Sequence, residues 1–230
     1  MASPKVCVVI GVGPGLGLAC VRKWVKEGFK VAMVSRTASK LEEAAAAHPG
    51  TFAFPADITD PESTKAALTG IEAQLGEIHT VVYNAGNGVF KTYQNVTHQE
   101  LDLSMKTNVN GLLTVAQHVG PKMTERGEGI FAVTGATASL RGKPFTVGFA
   151  TAKAAQRMLT QSLARDLGPK GVHFYYAIVD GLIGKDAGDD GGNGSKMDPD
   201  AIAQTYWDIA QQPRNCWTQE FDTRPSVENW

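Results

Sequence analysis

The chain has 230 residues, 43% hydrophobic and 20% charged, enough apolar material to bury a full core without disulfides or structural metal. Its net charge of −1 at pH 7 offers no electrostatic basis for a nucleic-acid partner or an anionic membrane surface. The three cysteines, Cys7, Cys20 and Cys216, are too few and too scattered for a disulfide framework or a thiolate metal site.

Val6 to Ile10 is a continuous apolar run stopped by glycine, which predicts a buried strand. Leu16 to Glu27 reads as a helix and Lys30 to Val34 as a second strand. Ser39-Lys40-Leu41-Glu42 resembles a capping box, predicting a helix that runs through an alanine tract to His48. Thr51 to Phe54 is a short third strand. Asp60-Pro61 predicts a helix start, because the aspartate can cap and proline at the first position lacks an N–H that is not needed there. Ile78 to Val82 is a fourth strand, and Thr97-His98-Gln99-Glu100 is a second capping box opening a long helix toward Met123.

Gly129 to Val133 is a fifth strand, Val147 to Leu167 a long helix and Val172 to Ile178 a sixth strand. Asp198-Pro199 opens a helix to about Gln211, and Trp217 to Phe221 reads as a last strand. The polar Gly- and Asp-rich stretch around 184–198 is expected to be a flexible loop on the substrate side. The alternation predicts one α/β domain over residues 1–230, doubly wound. Its mostly parallel sheet has about seven strands, helices on both faces and right-handed crossovers. No targeting segment is visible and no apolar run approaches the ~20 residues of a membrane span, so a cytoplasmic location without a membrane span is expected.

Gly11-Val12-Gly13-Pro14-Gly15-Leu16-Gly17 lies between the first strand and the first helix. Glycines there let backbone N–H groups approach a pyrophosphate at a helix N-terminus. Similar turns also serve tight packing, but the place directly after a buried N-terminal strand favours the phosphate reading. The spacing of Gly11, Gly15 and Gly17 resembles that of the short-chain dehydrogenase/reductase family. Asp57-Ile58, Asn84-Ala85-Gly86 and Asn108-Val109-Asn110-Gly111 extend the resemblance in order along nearly the whole chain. It implies a Rossmann fold and a nicotinamide cofactor held by the glycine turn, with Gly13 and Leu16 in it, by Asp57 and Ile58 at the adenine, and by Asn84, Ala85 and Gly86. Ile10 stands where that family usually has threonine.

At the end of the second strand the chain has Ser35-Arg36-Thr37 rather than an acidic residue. A hydroxyl followed by a guanidinium suits a 2′-phosphate, so NADP(H) is the expected cofactor. The family's catalytic set is an Asn, a Ser, a Tyr and a Lys four residues after the Tyr. Asn108 and Lys153 match it, but Phe149 stands at the tyrosine position and Ala136 at the serine position. The expected proton relay, worth roughly 10²–10⁴-fold in rate, therefore lacks both hydroxyls. No tyrosine lies between Tyr93 and Tyr175, and Thr146 stands at the wider tyrosine spacing of the enoyl-reductase variant.

After the sixth strand the family's usual Pro-Gly is Asp180-Gly181, with Ile183 expected beside the carboxamide. Asp180 in an apolar setting could serve as an acid, or it could be a turn aspartate bonded to backbone N–H groups. Thr137, Ser139 and Tyr93 are other candidate donors, and Tyr206 or Trp207 could line a substrate pocket. Trp207, Trp217 and Trp230 are expected to pack near the C-terminus. The histidines read as core or surface groups, and Glu42-Glu43 and Asp189-Asp190 as solvated charges. The resemblance thus implies an NADP(H)-dependent oxidoreductase with an atypical site. A hydrophobic carbonyl, imine or conjugated C=C is its expected substrate, and a homodimer or homotetramer its expected assembly. A catalytically inactive NADP(H)-binding or sensing protein and a non-redox isomerase or lyase are the alternatives.

Overall fold

The structure is a computed structural model that describes residues 3–228. In chain order its elements are β1 (Val6–Ile10), α1 (Leu16–Lys26), β2 (Lys30–Ser35), α2 (Ala38–Ala47), β3 (Thr51–Pro55), α3 (Pro61–Leu75) and β4 (Ile78–Tyr83). There follow α4 (His98–Met105), a π turn over Lys106–Asn110, α5 (Gly111–Arg126), β5 (Gly129–Thr134), a 3-10 turn over Thr137–Ser139, α6 (Val147–Leu167) and β6 (Val172–Val179). Two short strands, β7 (Leu182–Ile183) and β8 (Lys196–Met197), precede α7 (Pro199–Ala210) and β9 (Glu220–Thr223).

Seven strands form one sheet in the order β3-β2-β1-β4-β5-β6-β9, and every neighbouring pair is parallel. The central strands are apolar on both faces because helices cover both sides. Along β1, Val6, Val8 and Ile10 face one core with α3 and α5. Cys7 and Val9 face the other, with α1, α2 and α7. The strand order reverses between β1 and β4, and that reversal opens a crevice at the carboxyl ends of the strands. The family-level Rossmann architecture inferred above is the observed one.

Several local expectations need correction. The Ser39–Glu42 box is not used: α2 begins at Ala38 behind an extended Thr37 that makes no side-chain cap bond, because the chain turns helical as soon as it leaves β2. The Thr97–Glu100 box forms completely, and Asp60 accepts from Glu62 N ahead of Pro61. The long helix toward Met123 is interrupted by the π turn at Lys106–Asn110. The last strand lies over Glu220–Thr223, not Trp217–Phe221. Trp217 instead stacks on His173 at 4.6 Å between ring centroids, and its Nε1 donates to Gln212 O.

In the 184–198 stretch, Asp189 is not a solvated bystander. It accepts from Lys185 N, Gly191 N and Lys196 Nζ, and those bonds hold its carboxyl below the usual range. Trp207 packs on Trp24 and Phe29 beside α1, and Trp230 lies outside the described residues. Among the described residues no helix is long and apolar enough to cross a membrane.

Candidate active site

The glycine turn is fixed by close backbone approach. Gly11 has φ +89°, and a Cβ there would lie 2.5 Å from Ala85 N. Only glycine fits both the conformation and the gap. Asn84 closes the same junction: its N donates to Ile10 O at 2.8 Å and its Nδ2 to Gly11 O at 3.0 Å. Gly15, at φ +83°, precedes α1 without a capping side chain, and Leu18 N donates to Gly13 O at 3.1 Å, so the N–H groups of Leu16 and Gly17 are the ones no cap side chain takes. A Cβ on Gly17 would meet Gly11 O at 2.7 Å, whereas one on Gly13 would meet nothing within 4 Å. Thus Gly11 and Gly17 knit the turn, while Gly13 leaves open space in front of it.

That space is a cleft of about 450 Å³ at the strand-order reversal. Its walls bring together Gly11, Gly13, Ser35, Arg36, Asp57, Ile58, Asn84, Ala85 and Gly86, with Ile10 also at the wall. Leu16 and Gly17 sit behind the wall, buried in the start of α1. Arg36 is exposed and makes no hydrogen bond or ion pair to a protein group among the described residues. Asp57 accepts from Thr59 N at 2.9 Å and Thr59 Oγ1 at 2.8 Å. Those bonds, with a smaller contribution from Arg36, hold its carboxyl below the ordinary carboxylate range.

A second cavity of about 470 Å³ is lined by Ala136, Phe149, Asp180, Gly181 and Ile183. Phe149 packs against Phe90 at 5.0 Å between centroids, and Phe145 adds a third ring to the wall. Lys153 is buried behind it. Its Nζ donates to Thr134 O at 2.8 Å and to Gln156 Oε1 at 3.0 Å. With no carboxylate to compensate, burial pushes its ammonium down to about 7. Gln156 Nε2 in turn donates to Asn108 O at 3.0 Å, while Asn108 Nδ2 donates to Ser104 O and its Oδ1 has no protein partner. A Cβ on Gly86 would lie 3.5 Å from Asn108 Oδ1 and 3.6 Å from Lys153 Nζ. Gly86 is therefore where the first cleft meets the buried Asn–Lys pair.

Sequence reasoning missed Gln156. Its signal was a fully buried-type position, three residues after Lys153, filled by an amide. It also missed the setting of Asp180, which is not apolar. Thr137 Oγ1 donates to Asp180 Oδ1 at 2.5 Å, Arg224 Nε lies 3.7 Å from Oδ2, and Arg141 Nη2 lies 3.9 Å from Oδ1. One hydroxyl and two guanidiniums thus face its carboxyl group. The other candidate donors are also committed or remote. Ser139 donates to Ala136 O. Tyr93 is 75% exposed and lies outside the cavity lining. Tyr206 is buried and donates to Thr134 Oγ1, so neither it nor Trp207 lines the cavity. Among the histidines, His79 is buried beside Lys5 and Thr80, and His118 pairs with Glu72. The described residues contain no cluster of metal-ligating side chains.

Known proteins resemble this arrangement at the level of sequence and fold. A family model described as short chain dehydrogenase matches residues 5–184. Nodulation protein G of Azospirillum brasilense is 33% identical over 189 residues, covering 80% of this chain and 76% of its own. The crystal structure of a short-chain dehydrogenase from Rhodopseudomonas palustris superposes with a TM-score of 0.85 at 28% identity, over 98% of this chain and 100% of that one. An alcohol dehydrogenase from the archaeon Thermococcus sibiricus, complexed with 5-hydroxy-NADP, shares the fold with a TM-score of 0.86 at 23% identity over 99% of both chains.

Proposed function

Because this chain belongs to the short-chain dehydrogenase family, we propose that it is an NADP(H)-dependent oxidoreductase acting on a hydrophobic carbonyl, imine or conjugated C=C. One observation carries the reading. A single cleft runs from an unpartnered guanidinium at Arg36, past glycines that leave room for a diphosphate, to Gly86 above Lys153 and the unpaired Asn108 Oδ1. The donors fit the nucleotide. Arg36 and Ser35 would hold a 2′-phosphate, Asp57 and Ile58 the adenine side, the Gly11–Gly17 turn the pyrophosphate, and Lys153 the nicotinamide ribose. Gly181 and Ile183, at the border of the second cavity, would flank the nicotinamide. The bound cofactor would supply hydride chemistry. The archaeal neighbour of the same fold, held with 5-hydroxy-NADP, is a parallel at that level.

Phe149 and Ala136 take the places of the family's hydroxyl pair in this reading. They exclude water and pack an apolar substrate, but neither can move a proton. The lining hydroxyls do not replace them: Thr137 donates to Asp180 and Thr146 to Lys143 O. A substrate that needs little protonation at the reacting centre fits such a wall. The same observation also supports a second reading, a protein that binds NADP(H) as a sensor and turns over nothing. A single domain and a homodimer or homotetramer belong to the proposal as well.

The test begins with titrations of NADPH and NADH. NADPH should bind more tightly, and Arg36→Ala should weaken NADPH about tenfold or more, as for a charge-assisted phosphate contact, while leaving NADH unchanged. Equal affinities before and after the substitution would remove the NADP assignment. A panel of ketones, imines and enones followed at the nicotinamide absorbance band then separates the oxidoreductase from the sensor.

A further inference from the structure

The cavity beside Phe149 carries charge that its apolar wall does not explain. Arg141 and Lys143 both line it. Arg141 is set in a closed ring of contacts. Its N donates to Thr137 O at 3.3 Å, Thr137 Oγ1 donates to Asp180 Oδ1, and that oxygen lies 3.9 Å from Arg141 Nη2. Asp180 is already served by the Thr137 hydroxyl and by Arg224. The Arg141 side chain, 43% exposed, is therefore oriented by Asp180 rather than used up by it. The Nζ of Lys143 has no partner among the described residues, since Lys143 meets Thr146 only through its backbone. Glu228 is the opposing charge on the same lining, and it forms no ion pair with either cation among the described residues. The rings of Phe90, Phe145 and Phe149 share the same lining.

We propose that this cavity selects an apolar, ring-sized ligand bearing a carboxylate, with Arg141 receiving the carboxylate and Lys143 reinforcing it. The proposal rests on the reading of this cavity as the substrate site. Its chemistry is simple: a guanidinium presents paired N–H donors that match the two oxygens of a carboxylate, and the exposed Lys143 adds a second positive charge on the same lining. Asp180 is a positioning residue in this scheme, because it touches Arg141 and not the ligand.

The experiment compares naphthalene-2-carboxylate with its neutral isostere naphthalene-2-carboxamide, by calorimetry, on the full chain with and without NADPH. The carboxylate should bind about tenfold tighter, in the range of a charged hydrogen-bonded contact. Added salt should narrow the gap. Arg141→Gln combined with Lys143→Gln should bring the ratio to about one, Arg141→Lys should keep part of it, and Glu228→Gln should widen it. Equal or weaker binding of the carboxylate overturns the proposal. So does absence of binding by both ligands, or a preference that survives the double substitution. If NADPH fails to bind while the cofactor-free protein still prefers the carboxylate through Arg141, the oxidoreductase reading falls and this one stands.

Discussion

The two cavities are built from different materials. The cleft at the strand-order reversal is shaped at its glycine turn by main chain: Gly11 meets Ala85 N where no Cβ would fit, and Asn84 ties β4 to the turn through Gly11 O. The cavity beside it is mostly side chain: three phenylalanine rings, Ala136, and a carboxylate held by Thr137 and two arginines. Adding a side chain at Gly11 or Gly17 of that turn collides with backbone. Changing one residue in the second cavity alters chemistry while the frame stays put.

The largest effect should therefore come from the rigid side. Gly11→Ala forces a left-handed φ on a residue with a Cβ and drives that Cβ into Ala85 and Asn84. It should cost roughly 3 kcal/mol or more. Urea denaturation should show the loss, and NADPH binding should fall with it. Unchanged stability and unchanged binding would mean that the turn is softer than the geometry says. On the adjustable side, Phe149→Tyr with Ala136→Ser should leave stability within about 1 kcal/mol, since both are near-isosteric at a half-open wall. Carbonyl reduction should rise on the order of 10²-fold from the restored acid. A double variant that binds NADPH yet shows no gain in rate would remove the reading that a missing hydroxyl pair limits this cavity.

The smallest effect tests the border. Gln156→Leu removes one acceptor from Lys153 and leaves Asn108 O without its donor, a loss of about 1–3 kcal/mol. The sign with pH follows from Lys153, whose folded value is lowered to about 7 from an unfolded value near 10.4. Below about 7 the lysine is charged in both states, and the cost of burying its charge is fully present. As pH rises from 7 toward 10 the folded protein sheds that proton first, so stability gains from this group. Gln156 serves the charged form, so the variant should lose more at pH 6 than at pH 9. An equal loss at both would assign Gln156 to packing alone.

The same division explains what could be read along the chain. The Thr97–Glu100 cap and Asp60-Pro61 are local chemistry, decided by neighbours within four residues. Asp57-Ile58 and Asn84-Ala85-Gly86 were legible through family spacing, and all of them line the cleft. What escaped was long-range. The surroundings of Asp180, open between an acid and a turn aspartate in the sequence, could not be read because Arg224, 44 residues later, is brought beside it by the β6–β9 pairing. Tyr206 looked available for substrate, but α7 packs inward against β5. Gln156 stood next to Lys153 in the text, yet its second partner, Asn108, is 48 residues away.

The π turn at Lys106–Asn110 carries one more consequence. An α-helix advances about 100° per residue, so a loosened turn acts as a phase adjuster between α4 and α5. Beyond it Leu112, Val115, Val119 and Met123 point into the core, and within it Asn108 is buried beside the lysine. Deleting one residue here would rotate one of those two sets out of alignment. The length of this segment, rather than any single side chain in it, keeps the core and the polar centre in register.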